Sequence, residues 1–157
     1  MVGARMIIGV GNPDRGDDAV GRAVAERLKG RLPEDIEVQD ENGEMTALLE
    51  CLEEAEAVYF IDASASGAAP GTIRRFDAAA GPLPNAVMAV STHGFGLAEA
   101  IEMARAMGSL PATCIVYAVE GAGFETGEPM SEPVADAAAK VAEQIMADVA
   151  AENVGAD

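Results

Sequence analysis

The sequence predicts an α/β fold: a three-layer α/β/α sandwich around a twisted, mostly parallel sheet of about five strands. Short apolar runs alternate along the chain with segments of helical periodicity, the pattern of a sheet covered on both faces. The runs are apolar without polar alternation, as parallel strands buried on both sides are. Half of the 157 residues are hydrophobic and 24% are charged, enough apolar surface for one core of ordinary size. Residues 1–157 are therefore expected to form a single domain.

The elements follow in order. Met6-Ile7-Ile8-Gly9-Val10 reads as a buried strand. A helix is expected from Asp17 or Asp18 to about Leu32, with Val20, Val24 and Leu28 on one face. Ile36 and Val38 mark a brief strand, and Thr46 to Glu56 a helix with Leu48, Leu49 and Leu52 inward. Ala57-Val58-Tyr59-Phe60-Ile61 is the most strand-like segment and is expected to stop at Asp62. Pro70-Gly71 and Gly81-Pro82 are turn signals around a strand at Thr72 to Phe76. Leu97 to Met107 is a helix stopped by Gly108, and Cys114 to Val119 a strand. Ser131 is placed to cap a last helix starting near Pro133, with Val134, Ala138, Val141, Ile145 and Val149 along one side. The tail after about Ala151 is expected to fray.

Charge excludes several functions. The formal net charge is −17, a field that repels phosphate backbones and anionic membrane surfaces. No nucleic acid and no membrane is expected as a partner. Residues 1–31 run against this trend, with six basic and four acidic residues. They read either as a solvated helix face or as a docking stripe for an acidic partner. The two cysteines, Cys51 and Cys114, have no metal-ligand spacing and read as buried thiols of a reducing compartment. With no signal-peptide pattern at the start and no run near 18 apolar residues, a cytoplasmic location is expected. The eight methionines, Met103 and Met107 among them, are expected to pack in the core.

In such sheets ligands sit at the carboxyl ends of the strands, near a switch in strand order. That points to the loops after residues 10, 62 and about 90. The first reads Gly9-Val10-Gly11-Asn12-Pro13-Asp14-Arg15-Gly16-Asp17-Asp18-Ala19-Val20-Gly21. It is neither a dinucleotide fingerprint, because Asp14 stands where the third glycine belongs, nor a Walker loop, because no Gly-Lys-Ser/Thr follows. Its three acidic residues would repel a pyrophosphate. The loop instead presents carboxylates: one Asp suffices for a helix cap, which we assign to Asp17, leaving Asp18 available. Asp62 ends an apolar strand and reads either as a site carboxylate or as the cap of the next turn. His93, the sole histidine, lies in Ser91-Thr92-His93-Gly94-Phe95-Gly96-Leu97 before a helix. A lone histidine is most often structural. Two carboxylates and one imidazole at the same sheet edge would nonetheless make an oxygen–oxygen–nitrogen set suited to nickel or zinc, with positions left for water or substrate. No G-x-S-x-G elbow is present, and both thiols lie in apolar elements where thiolates are disfavoured.

These segments resemble the hydrogenase maturation endopeptidases. The similarity lies in Gly9-Val10-Gly11-Asn12, Asp17-Asp18, Gly21, Phe60-Ile61-Asp62-Ala63, Pro70-Gly71-Thr72 and Ser91 to Leu97, and it runs over nearly the whole chain. The resemblance implies an endopeptidase that removes the C-terminal extension of a nickel-iron hydrogenase large-subunit precursor after nickel insertion. It implies that Asp18, Asp62 and His93 bind the nickel carried by that substrate, with no permanently bound cofactor. Two departures bear on substrate choice: Asp40-Glu41-Asn42-Gly43-Glu44 replaces a glycine-threonine-rich turn, and Ala19 stands where glycine is common. Two other readings share some of these features. A non-enzymatic nickel-binding assembly factor would use the same ligands. Peptidyl-tRNA hydrolases also open with Gly-x-Gly-Asn-Pro, but they need a histidine soon after it, and this chain has none before His93.

Overall fold

The computed structural model describes residues 4–84 and 96–155. The strands are β1 (Ala4–Val10), β2 (Ile36–Glu41), β3 (Ala55–Ser64), β4 (Ile73–Asp77) and β5 (Thr113–Glu120). The helices are α1 (Val20–Leu28), α2 (Met45–Glu54), α3 (Leu97–Met107) and α4 (Glu132–Gly155). The five strands lie in the order β2-β1-β3-β5-β4, all parallel except the edge strand β4, which runs antiparallel to β5. The three-layer sandwich predicted from the sequence is the one observed.

Alternate residues of each strand feed two separate cores. Ile7, Tyr59, Ile61 and Tyr117 pack under α1 and α4, where Val24, Leu28, Val141 and Ile145 are fully buried. Met6, Ile8, Phe60 and Val116 pack under α2 and α3 with Leu48, Leu52 and Ile101. Each such buried aliphatic or aromatic side chain contributes about 1.5–3 kcal/mol of transfer free energy. The predicted inward faces of α1, α2 and α4 all point into these cores. Cys51 and Cys114 are buried and free, and burial pushes their thiols up to about 11 and about 12.

Several boundaries differ from expectation. The helix expected to reach Leu32 ends at Leu28, where the chain turns through Gly30 at φ +77°, a conformation that suits glycine. The helix expected to reach Glu56 ends at Glu54, because Ala55 already pairs with Ala4 of β1. β3 does not stop at Asp62; its ladder with β5 continues through Asp62↔Ala118 to Ser64↔Glu120. Met103 and Met107 do not pack in the core: they are 46% and 67% exposed. The buried face of α3 carries Ala98, Ala100 and Ala104 instead, and these small side chains let the helix lie close to the sheet. Three basic residues of the first segment form ion pairs with acids of the following one, Arg5 with Asp35, and Arg22 and Lys29 with Asp40. Among the described residues no helix is long and apolar enough to cross a membrane.

Candidate functional site

β1 is flanked by β2 on one side and β3 on the other, so the chain reverses its direction of travel across the sheet there. The carboxyl ends of β1 and β3 open a crevice at this switch point, where ligands of doubly wound sheets bind. Close helix packing shapes it. A Cβ on Gly21 would come within 2.6 Å of the Val10 backbone and 2.7 Å of the Ile61 carbonyl oxygen, so only glycine lets α1 start this close to both strands. Gly9 faces Gly21 under the same restriction. Gly11, at φ +135°, turns the chain out of β1 and leaves its Cβ space to the Asp18 carboxylate, whose Oδ1 would stand 3.1 Å away.

Asp18 sits in a 3-10 turn, Gly16–Ala19, ahead of α1 and is 8% exposed. Its Oδ2 accepts the Asn12 N–H at 2.9 Å and lies 3.5 Å from Arg15 Nη1. Burial raises its pKa, while the Asn12 hydrogen bond and the Arg15 charge oppose that rise. Asp62 lies near the end of β3, with Oδ1 accepting its neighbour Ala63 N–H at 2.8 Å. Burial pushes its pKa well above the usual carboxylate range, and the Asp18 charge pushes it further. The two carboxylates thus reach the same end of the sheet and sense each other. His93 lies outside the described residues. Among the described residues no three His, Cys, Asp or Glu side chains are gathered as a metal site.

Asp17 does not cap its own helix; neither the turn nor α1 has a side-chain cap. Its carboxylate, 1% exposed, accepts the N–H groups of Ala122, Gly123 and Ser131 at 2.6, 3.2 and 2.7 Å and the Ser131 hydroxyl at 2.9 Å. The Ser131 hydroxyl expected to cap α4 is thereby turned to Asp17. The distant β5–α4 loop supplies more donors than the short turn has to offer, and that long-range demand overrides the local cap. The first loop and residues 121–128 are bound backbone to backbone as well, Asp17 N–H to Gly123 O at 2.8 Å and Gly127 N–H to Asp14 O at 2.8 Å.

Another buried carboxylate went unread in the sequence. Glu120, 4% exposed at the carboxyl end of β5, accepts hydrogen bonds from the Ser64 and Ser66 hydroxyls and from the Ser66 and Gly67 N–H groups. Burial raises its pKa, but these donors more than offset that and leave it below the ordinary value. The signal that singled out Asp62, an acid closing an apolar strand, was present at Glu120 too. A cleft of about 300 Å³ adjoins the first loop, between Gly11 and Pro13 on one side and Asp40, Glu41 and Glu44 on the other. Its acidic wall is the segment that departs from the resembled family's glycine-threonine-rich turn.

A parallel-dominated sandwich with two carboxylates at the carboxyl ends of its switch-point strands is an α/β fold with its candidate site where doubly wound sheets bind ligands. Residues 22–148 match the sequence model of HycI, hydrogenase maturation protease, and the chain belongs to the hydrogenase maturation protease family. Comparison with curated proteins finds no match. Among solved structures, the chain is similar to the [NiFe] hydrogenase maturation protease HycI from Thermococcus kodakarensis KOD1, at 28% identity and a TM-score of 0.70, over 92% of this chain and 91% of that one. It is similar in fold to the hydrogenase maturating endopeptidase HybD from E. coli, at 24% identity and a TM-score of 0.79, over 95% and 93%.

Proposed function

We propose that this chain, acting as one catalytic unit over residues 1–157 in the cytoplasm, cuts the C-terminal extension from a nickel-iron hydrogenase large-subunit precursor after nickel has been inserted. The observation that carries the reading is the Asp18–Asp62 pair at the switch point of a family member. Two adjacent carboxylates, partly withdrawn from water, repel each other while empty and are relieved by a divalent cation between them. His93 would add a nitrogen ligand. Nickel is substrate here, carried in by the precursor, and no resident cofactor is invoked. Three protein ligands leave coordination positions for the precursor's own groups, so the metal ties the scissile bond to the crevice. Held by Asp18, Asp62 and His93, the substrate's nickel would supply polarisation of the carbonyl or an activated water; without that contribution, one of the two carboxylates would take the proton of the attacking water.

The experiment is incubation of the purified protein with nickel-loaded and metal-free precursor, with the C-terminus read by mass spectrometry. The loaded precursor should be shortened and the metal-free one left intact. Asp62→Asn or His93→Ala should abolish cutting while the thermal melt stays cooperative. Cutting at wild-type rate in either variant would falsify the site assignment. Nickel binding without cutting would favour an assembly factor over an enzyme.

A further inference from the structure

One cation already stands beside Asp18, the outer charge felt by Asp62. The Arg15 guanidinium makes two contacts: its Nε donates to the Phe124 carbonyl oxygen at 3.1 Å, and its Nη1 stands 3.5 Å from Asp18 Oδ2. The backbone around it is also held, since Arg15 bridges to Thr126 and Asp14 and Gly16 bond to residues 127 and 128. The side chain is only 18% exposed, so its charge is poorly screened by solvent. The contact with Asp18 is long for an ion pair, while the bond to Phe124 is of ordinary length. The guanidinium is therefore aimed by the β5–α4 loop at the Asp18 carboxylate.

We propose that Arg15 guards the Asp18–Asp62 pair against free divalent cations, so that the site accepts a metal only when a polypeptide brings it. The inference rests on the endopeptidase reading above. With the site empty, the guanidinium offsets part of the Asp18 charge that otherwise acts on Asp62. An arriving divalent ion meets a positive charge that the loop prevents from swinging far away, and the repulsion weakens its binding. A hydrated ion has nothing else to offset that repulsion. A metal embedded in a precursor has the precursor's own contacts with the enzyme. Arg15 thus converts a pair of carboxylates that would bind any suitable ion into one selective for an ion already in place.

The test titrates Ni²⁺ alone into the isolated protein by calorimetry, comparing wild type with Arg15→Gln. Glutamine removes the charge and keeps a donor for the Phe124 carbonyl. Ni²⁺ should bind the variant about three- to tenfold more tightly, and the gain should vanish when Asp62→Asn is added. Arg15→Met serves as second variant, and thermal melts establish that each is folded. In wild type, the Arg15 Nε–H resonance, identified by its loss in Arg15→Gln, should shift when saturating Zn²⁺, a diamagnetic probe, is added. Equal or weaker Ni²⁺ affinity in the folded variants overturns the proposal, as does a gain that survives Asp62→Asn or an Nε–H signal that Zn²⁺ leaves in place. Failure of wild type to cut a nickel-loaded precursor would instead overturn the underlying endopeptidase reading, and it is measured separately.

Discussion

Buried carboxylates of this protein carry opposite signs in its stability. Asp62 has a raised pKa in the fold. Its favourable contribution is complete below the unfolded value, near pH 3.9, and is lost as pH climbs through the folded value. Asp62→Asn should therefore stabilise the protein at pH 7 by on the order of 1 kcal/mol, a gain of about 2–4 °C in Tm that shrinks toward pH 4. Thermal melts at the two pH values measure it, and a variant that is more stable yet inactive separates function from folding. Glu120 has a lowered pKa, so its contribution is present above the unfolded value and is lost as pH falls through the folded one. Glu120→Gln should cost about 1–2 kcal/mol at neutral pH, with a smaller penalty in acid. Asp17 is the strongest structural case, because Asp17→Ala removes the acceptor of four hydrogen bonds at once. A loss of about 2–4 kcal/mol in urea unfolding is expected. Asp62 and Asp18 were legible as site candidates because each follows an apolar strand by a short distance. The role of Asp17 was not, since its donors are more than a hundred residues away and a cap is the nearest local explanation for the same aspartate.

At the level of elements, the crevice depends on how closely α1 approaches the sheet. Gly21→Ala would drive a methyl into the backbones of Val10 and Ile61, atoms that cannot rotate away. A destabilisation of about 2–4 kcal/mol is expected by chemical denaturation, together with displacement of the turn that carries Asp18. Gly81→Ala is the control, because nothing lies within 4 Å of its added Cβ, and its stability should change by less than about 0.5 kcal/mol. Helix faces were legible in α1, α2 and α4, where the 3.6-residue spacing of Val20, Val24 and Leu28, or of Val134, Ala138 and Val141, reports burial directly; in α3 the methionines misled, since Met103 and Met107 are exposed. Strand ends were less so. β3 outruns its apolar run by three residues because β5 offers it partners as far as Glu120, and pairing is decided by the neighbouring strand.

For the molecule as a whole, the net charge of −17 is spread over a small surface and favours expansion by self-repulsion. Raising NaCl from about 0.01 to about 0.5 M should raise the Tm by about 2–5 °C, and a flat or falling Tm would show that local ion pairs outweigh the net field. The fold class and the sheet's parallel character were determined by the sequence alone, because periodicity and the alternation of elements are local properties of the chain. The strand order, the reversal of β4, the coupling of Asp18 to Asp62 at one end of the sheet and the hold of residues 121–131 on Asp17 and Arg15 were decided only by tertiary structure. Each depends on which distant groups come into contact, and no spacing along a single chain encodes that.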